Sequence, residues 1–196
     1  GIDDYRVGYI ESIYFDDDVF SYAKHNIDGE RYRLKPRVRW YDNHYNSAKL
    51  EIKYRDGFSG YKNSYKDFGF SDNQNSFENI LNNTIIFLQK NYSLKDLKPT
   101  VKVSYTRRYF EHPSGIRATI DTNVTAEGIN TLNAYKSTAG MLLAFEVLEI
   151  KYKTSMDDFV REYIYPNFYT LSTRLTKCSK YVESVIALTD NVSHGS

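Results

Sequence analysis

From Arg31 the chain reads Arg-Tyr-Arg-Leu-Lys-Pro-Arg-Val-Arg-Trp-Tyr, an alternation of cationic and apolar positions. Side chains of a strand point to opposite faces in turn. A strand here therefore carries Arg31, Arg33, Lys35, Arg37 and Arg39 on one face and Tyr32, Leu34, Pro36, Val38 and Trp40 on the other. Pro36 marks an edge position or a bulge. The next strand repeats the design, with Lys49, Glu51, Lys53 and Arg55 opposite Leu50, Ile52 and Tyr54, and Asp42-Asn43-His44 supplies the turn between them. Lys62 and Lys66 follow a glycine-containing segment and add cations from a third strand. Three later strands are predicted around Val101–Arg107, Ile116–Asp121 and Val147–Tyr152. In these, Arg117, Thr119 and Asp121, like Glu149 and Lys151, fall opposite aliphatic neighbours. Five or six strands with one charged and one apolar face predict a barrel, charged within and apolar without.

An apolar exterior needs a cover, and two helical stripes offer one. Phe77, Ile80, Leu81, Thr84, Ile85 and Leu88 recur at helical spacing, with Ser71-Asp72 upstream as capping chemistry. Met156, Phe159, Val160, Tyr163 and Ile164 make the second, with Ser155 as N-cap, Asp157 and Asp158 in the first turn and Pro166 beyond the end. Thr125 to Gly140 lacks periodicity and is predicted to be a long connection.

Composition narrows the classes. A chain of 196 residues fits one domain, and 19 Tyr and 11 Phe favour strands over a helical bundle. No apolar run approaches the ~20 residues that span a bilayer, so direct membrane insertion is not expected. The single cysteine, Cys178, cannot pair within the chain and is predicted to be a buried helix residue in a reducing, cytoplasmic setting. The four histidines, His25, His44, His112 and His194, form no paired base motif and are read as surface or turn residues. A net charge of +1 argues against coating of nucleic acid, so any anion site depends on local segregation of charge. Same-face neighbours on a strand lie ~6.7 Å apart and repel by roughly 0.6 kcal/mol in water, and by far more in an enclosed site. A chain of phosphates would neutralise such a ladder with charge-assisted hydrogen bonds.

The motifs also carry a family resemblance. Ser12-Ile13-Tyr14-Phe15-Asp16, then Tyr22, Lys24 and Gly29, then Arg33-x-Lys35-x-Arg37-Val38-Arg39-x-Tyr41 and Leu50-Glu51-Ile52-Lys53 resemble the opening of a VTC (vacuolar transporter chaperone) domain. Further blocks follow in order: Pro99-Thr100-Val101 leading to Ser104-Tyr105-Thr106-Arg107, Arg117-x-Thr119-x-Asp121, Leu148-Glu149-Ile150-Lys151-Tyr152 and Ser179-Lys180-Tyr181. Together they span nearly the whole chain.

The resemblance implies a triphosphate tunnel metalloenzyme of α+β class, whose antiparallel β-barrel of about seven or eight strands, with a few helices packed outside, holds a triphosphate in a basic tunnel beside Mn²⁺ or Mg²⁺. VTC-type members are polyphosphate polymerases that pass the γ-phosphoryl of ATP to a polyphosphate chain. Triphosphate hydrolysis on the same fold, or binding of nucleotide or polyphosphate without turnover, are the other activities expected. Carried over, Arg37, Arg39, Lys53, Arg107 and Lys180 are the catalytic cations. Arg33, Lys35, Lys62, Tyr105, Lys151 and Ser179 bind substrate, and Glu149 is the metal carboxylate. Lys62 is preferred to Lys66 because it lies nearer the turn, although spacing alone does not separate them. Full family members run through a strand and a helix before the segment that here starts at Tyr5, so residues 1–196 are expected to form a single domain lacking both.

Overall fold

The computed structural model describes residues 3–66, 76–131, 135–169 and 178–194. Its elements are β1 (Asp3–Asp16), α1 (Ser21–Ile27), β2 (Tyr32–Tyr41), β3 (Lys49–Asp56), β4 (Ser59–Tyr65), α2 (Phe77–Tyr92), β5 (Lys98–Glu111), β6 (Arg117–Asn130), β7 (Lys136–Ser137), β8 (Met141–Leu142), β9 (Val147–Lys151), α3 (Asp157–Phe159), α4 (Pro166–Tyr169) and α5 (Lys180–His194). The strands form an antiparallel sheet in the order β4-β3-β2-β1-β5-β6, and β7, β8 and β9 all pair with the far side of β6. β4 and β9 are its edges. Among the described residues no ladder joins them, so the expected barrel is an open sheet: no described strand lies between the two edges to close it. No described helix is long and apolar enough to cross a membrane.

The period-two pattern of β2 and β3 is realised. Arg33↔Arg55, Lys35↔Lys53, Arg37↔Glu51 and Arg39↔Lys49 are cross-strand pairs, which places these side chains on one face. Asp42 and Asn43 take left-handed backbone (φ 51° and 62°) in the connection, a conformation that short polar side chains tolerate. The register with β1 ends at Tyr14↔Arg37, so Pro36 falls where no β1 partner asks for its missing N–H.

On the opposite face Ile13, Phe15, Val38, Leu50 and Ile52 are fully buried and Trp40 nearly so, against Ile80, Leu81 and Leu88 of α2. Each such side chain contributes about 2 kcal/mol on burial. The α2 stripe is therefore the expected cover. Its N-cap is Ser76, whose hydroxyl accepts from the Asn79 N–H at 3.2 Å; Ser71-Asp72 lie outside the described residues.

The charged face has a cover of its own over β1, β5 and β6. There Ile10, Tyr14, Val101, Val103, Tyr105, Val124 and Ala126 pack against Ala23 of α1 and Tyr181 and Val185 of α5. β6 reaches both this apolar half and the charged half through a bulge. The β5–β6 register slips between Ser104 and Thr106, where Asn123 is left-handed (φ 53°). The extra residue puts Val124, Ala126 and Asp121 on one face despite their mixed parity.

Three local expectations are corrected. Thr125 to Asn130 is strand, not connection, because it hydrogen-bonds β5 on one side and β7 and β8 on the other. The second helical stripe is a chain of short turns: a 3₁₀ turn (Thr154–Met156), α3, a π turn (Val160–Ile164) and α4, which Pro166 opens rather than follows. Ser155 makes no capping bond, and Phe159 and Tyr163 are exposed while Val160 alone is buried, so this stripe covers little. Cys178 is exposed, since it lies just ahead of α5 rather than within it.

Candidate functional site

Two carboxylates organise the cations of the charged face. Glu51 on β3 is nearly buried. Its Oε2 accepts from Arg37 Nε at 2.8 Å and lies 2.6 Å from Arg37 Nη2 and 3.8 Å from Arg39 Nη1, while Oε1 meets Lys62 Nζ at 2.9 Å. Burial alone would raise the Glu51 carboxyl. Arg37 and Arg39, with hydrogen bonds from Lys62 and Arg37, hold it down at about 2. The second carboxylate, Asp121 on β6, is fully buried. It accepts from Arg107 Nε at 2.5 Å and Nη2 at 2.7 Å, and meets Lys180 Nζ at 2.5 Å. Burial would raise this carboxyl too, but Arg107 and Lys180 pull it below the ordinary aspartate range.

β1 and β5 fill the space between these clusters with hydroxyls. Arg37 Nη1 donates to Tyr14 Oη at 3.0 Å, Arg39 Nε to Ser12 Oγ at 3.1 Å and Arg39 Nη2 to Tyr105 Oη at 3.0 Å. Tyr105 also lies under two cations, with Arg107 Cζ 5.3 Å and Lys180 Nζ 4.7 Å from its ring centre. Burial pushes the Tyr105 phenol up to about 12, so it keeps its proton. It accepts from Arg39 and retains an O–H to donate onward.

The start of α5 bridges the face. Lys180 reaches Asp121 on β6, and the preceding Ser179 accepts from Lys35 Nζ on β2 at 2.9 Å. Lys53 is exposed, pairs across the ladder with Lys62 and makes no ion pair among the described residues. Arg33 Nε is buried with no hydrogen-bond partner among the described residues, so this β2 guanidinium keeps a donor uncommitted.

The structure thus brings together Arg37, Arg39, Lys62, Tyr105, Arg107, Lys180, Lys35 and Ser179, with Arg33 and Lys53 on the same face of β2 and β3. Lys66 is exposed beyond the end of β4, which leaves Lys62 as the lysine of that strand that meets the cluster. Glu149 and Lys151 stand apart on the β9 edge, 3.4 Å from one another and each about half exposed. Thr119↔Glu149 and Arg107↔Asp121 are cross-strand pairs, so register puts Glu149 on the charged face, one strand outward from Asp121.

Among the described residues no group of three or more His, Cys, Asp or Glu converges. Glu51 and Asp121 are each engaged by two or more cations, whereas Glu149 meets one exposed lysine. Glu149, half exposed beside a single lysine, offers a hard oxygen donor of the kind that suits a divalent ion.

Two kinds of residue escaped the sequence reading. The alternation puts Glu51 and Asp121 on charged faces, but does not name their cation partners. Tyr14 and Ser12 entered only as part of a block. The signal for Glu51 was its position amid lysines at period two; pairing across 14 residues between Arg107 and Asp121 needed the Asn123 bulge, which the pattern does not reveal.

The chain is thus an open antiparallel sheet with cations on one face and α2 packed against the other. The putative adenylyl cyclase HpAC1 from Hippeastrum, described with a dominant triphosphatase activity, has this fold at a TM-score of 0.50 and 10% identity, covering 94% of this chain and 84% of that one. The PH1819 protein from Pyrococcus horikoshii OT3 gives a TM-score of 0.49 at 14% identity, covering 97% of this chain and 87% of that one. No functionally curated protein matches the sequence. The VTC domain profile matches residues 4–189, and the chain belongs to that family.

Proposed function

We propose that this domain is a polyphosphate polymerase that transfers the γ-phosphoryl group of ATP to the end of a polyphosphate chain held on the charged face. The observation that carries the reading is the convergence of Arg37, Arg39 and Lys62 on Glu51 and of Arg107 and Lys180 on Asp121, joined by Tyr105. Phosphoryl transfer demands positioning and positive charge around the equatorial oxygens, and little covalent work from the protein. Arg37, Arg39, Lys53, Arg107 and Lys180 supply that charge. Arg33, Lys35, Lys62, Lys151, Ser179 and the Tyr105 hydroxyl hold the remaining phosphates. In the reaction a terminal oxygen of the chain bonds the γ-phosphorus as the γ-phosphorus–oxygen bond to ADP breaks; ADP leaves and the chain grows by one phosphate. Mn²⁺ or Mg²⁺, held by Glu149 and phosphate oxygens, would neutralise charge on the leaving group. ATP and polyphosphate are the partners of this reading, a cytoplasmic compartment its setting, and nucleic acid plays no part.

Hydrolysis is the second reading, favoured by the triphosphatase activity reported for HpAC1. It uses the same cations with water as acceptor. Incubation with ATP and Mn²⁺ separates the two. Long-chain polyphosphate supports the polymerase, and free phosphate or pyrophosphate without chains replaces it by the hydrolase. Saturable ATP binding with neither product reduces the domain to a binding module.

A further inference from the structure

The donor edges best suited to a phosphate are already occupied. The Nε/Nη2 edge of Arg37 closes on Glu51, and its Nη1 donates to Tyr14. Lys62 points at the other oxygen of the same carboxylate. Arg107 spends its corresponding edge on Asp121, which also holds Lys180. An arginine fork binds carboxylate and phosphate with the same geometry, so a phosphate reaching Arg37 meets a competitor built into the fold.

We propose that Glu51 is a resident counter-ion that an incoming phosphate chain displaces from Arg37 and Lys62, making the face selective for linear chains over single phosphates and quick to release them. This rests on the phosphate reading above and adds a specificity-determining residue to it. A lone phosphate that replaces Glu51 exchanges one anion for another at one spot. A chain exchanges at Arg37 while its other phosphates stay on Lys53 and Lys35, which make no ion pair among the described residues and face one another across the β2–β3 ladder, so its competition with Glu51 is intramolecular and gains from high effective concentration. Asp121 repeats the arrangement independently on β6, which argues that neutralised cations are a property of the face rather than an accident of one strand. If Glu51 served only to hold Arg37 in place, its removal would weaken anion binding; a displaceable counter-ion makes the opposite prediction.

Glu51→Gln keeps length and shape and removes the charge. Calorimetry at fixed salt, with the whole chain and inorganic tripolyphosphate or orthophosphate as titrant, reads the effect. Tripolyphosphate binding is expected to tighten by about fivefold or more, as a coupling of 1 kcal/mol or above requires. Orthophosphate is expected to gain more, so that the preference for the chain narrows. Glu51→Asp, which keeps the charge, should bind closer to the wild type than Glu51→Gln does. If Glu51→Gln is too unstable for titration, the rise in melting temperature on adding tripolyphosphate serves instead, and is expected to exceed that of the wild type at equal concentration. Equal or weaker binding by Glu51→Gln, beside normal binding by the wild type, overturns the counter-ion role alone. No binding of tripolyphosphate by the wild type overturns the phosphate reading, and this one with it.

Discussion

The Tyr181 hydroxyl donates to Asp16 Oδ2 at 2.5 Å, joining α5 to the end of β1 across 165 positions. Asp16 is fully buried and also accepts from the N–H groups of Asp17, Tyr22 and Ala23, so one carboxylate caps the start of α1 and receives α5. The Tyr181 ring stacks on Tyr14 at 4.7 Å, the tyrosine that accepts from Arg37. A core contact therefore fixes the turn from which Lys180 and Ser179 project.

Tyr181→Phe removes this donor and leaves a buried carboxylate oxygen short of a partner. The expected loss is about 1–3 kcal/mol, read as a lower denaturation midpoint with an unchanged slope. Tripolyphosphate affinity should fall as well, because Lys180 and Ser179 lose their anchor.

Arg37→Ala removes the strongest partner of Glu51. Leaving a nearly buried carboxylate with weaker company costs about 3–5 kcal/mol. Replacing Glu51 with Gln in the same chain should recover a large part of it, and a double-mutant cycle by chemical denaturation measures that coupling. Strict additivity of the two losses would mean that the pair does not act as one unit.

Burial lowers the Lys35 ammonium from 10.5 to about 8, with Tyr14 opposing the drop and Lys53, Arg33 and Arg37 adding to it. The folded value lies below the unfolded one. Between those limits the native state holds fewer protons than the unfolded chain, so stability rises with pH across that window. The charge offered to an anion runs the other way and is lost as pH rises through about 8. Tripolyphosphate affinity measured from about pH 7 to about pH 9 should weaken more steeply for the wild type than for Lys35→Met, which has no ammonium there to lose.

Glu149→Gln should leave stability within about 0.5 kcal/mol, since the residue is half exposed on an edge strand. Turnover of ATP should lose its dependence on Mn²⁺ concentration while tripolyphosphate binding without metal persists. A metal titration identical to that of the wild type would remove Glu149 from the role.

The alternation along β2 and β3 made the face, its cations and its apolar reverse legible, because a two-residue period leaves few choices once one side must be buried. The α2 stripe was legible for the same reason at helical period. Closure of the barrel was not. Strand pairing at the edges is a non-local property, and neither β4 nor β9 carries a pattern that names its partner. The bulge at Asn123 was equally hidden, and with it the meeting of Arg107 and Asp121. A like-charge ladder follows from taking each strand alone; the cross-strand partner Glu51 shows that its cations are partly neutralised by the fold. Arg37 is held on both sides, by Glu51 and by the core residue Tyr14.

On the function proposed above, a phosphate chain lies along the charged face between β2, β3, β5 and the start of α5. A crystal structure of the domain with inorganic tripolyphosphate tests it most directly. Phosphate oxygens are expected within hydrogen-bond distance of Arg37 or Arg39, of Lys53 or Lys62 and of Arg107 or Lys180 in one continuous anion. Tripolyphosphate bound only outside that face, with Glu51 and Asp121 still closed on their cations, would contradict it.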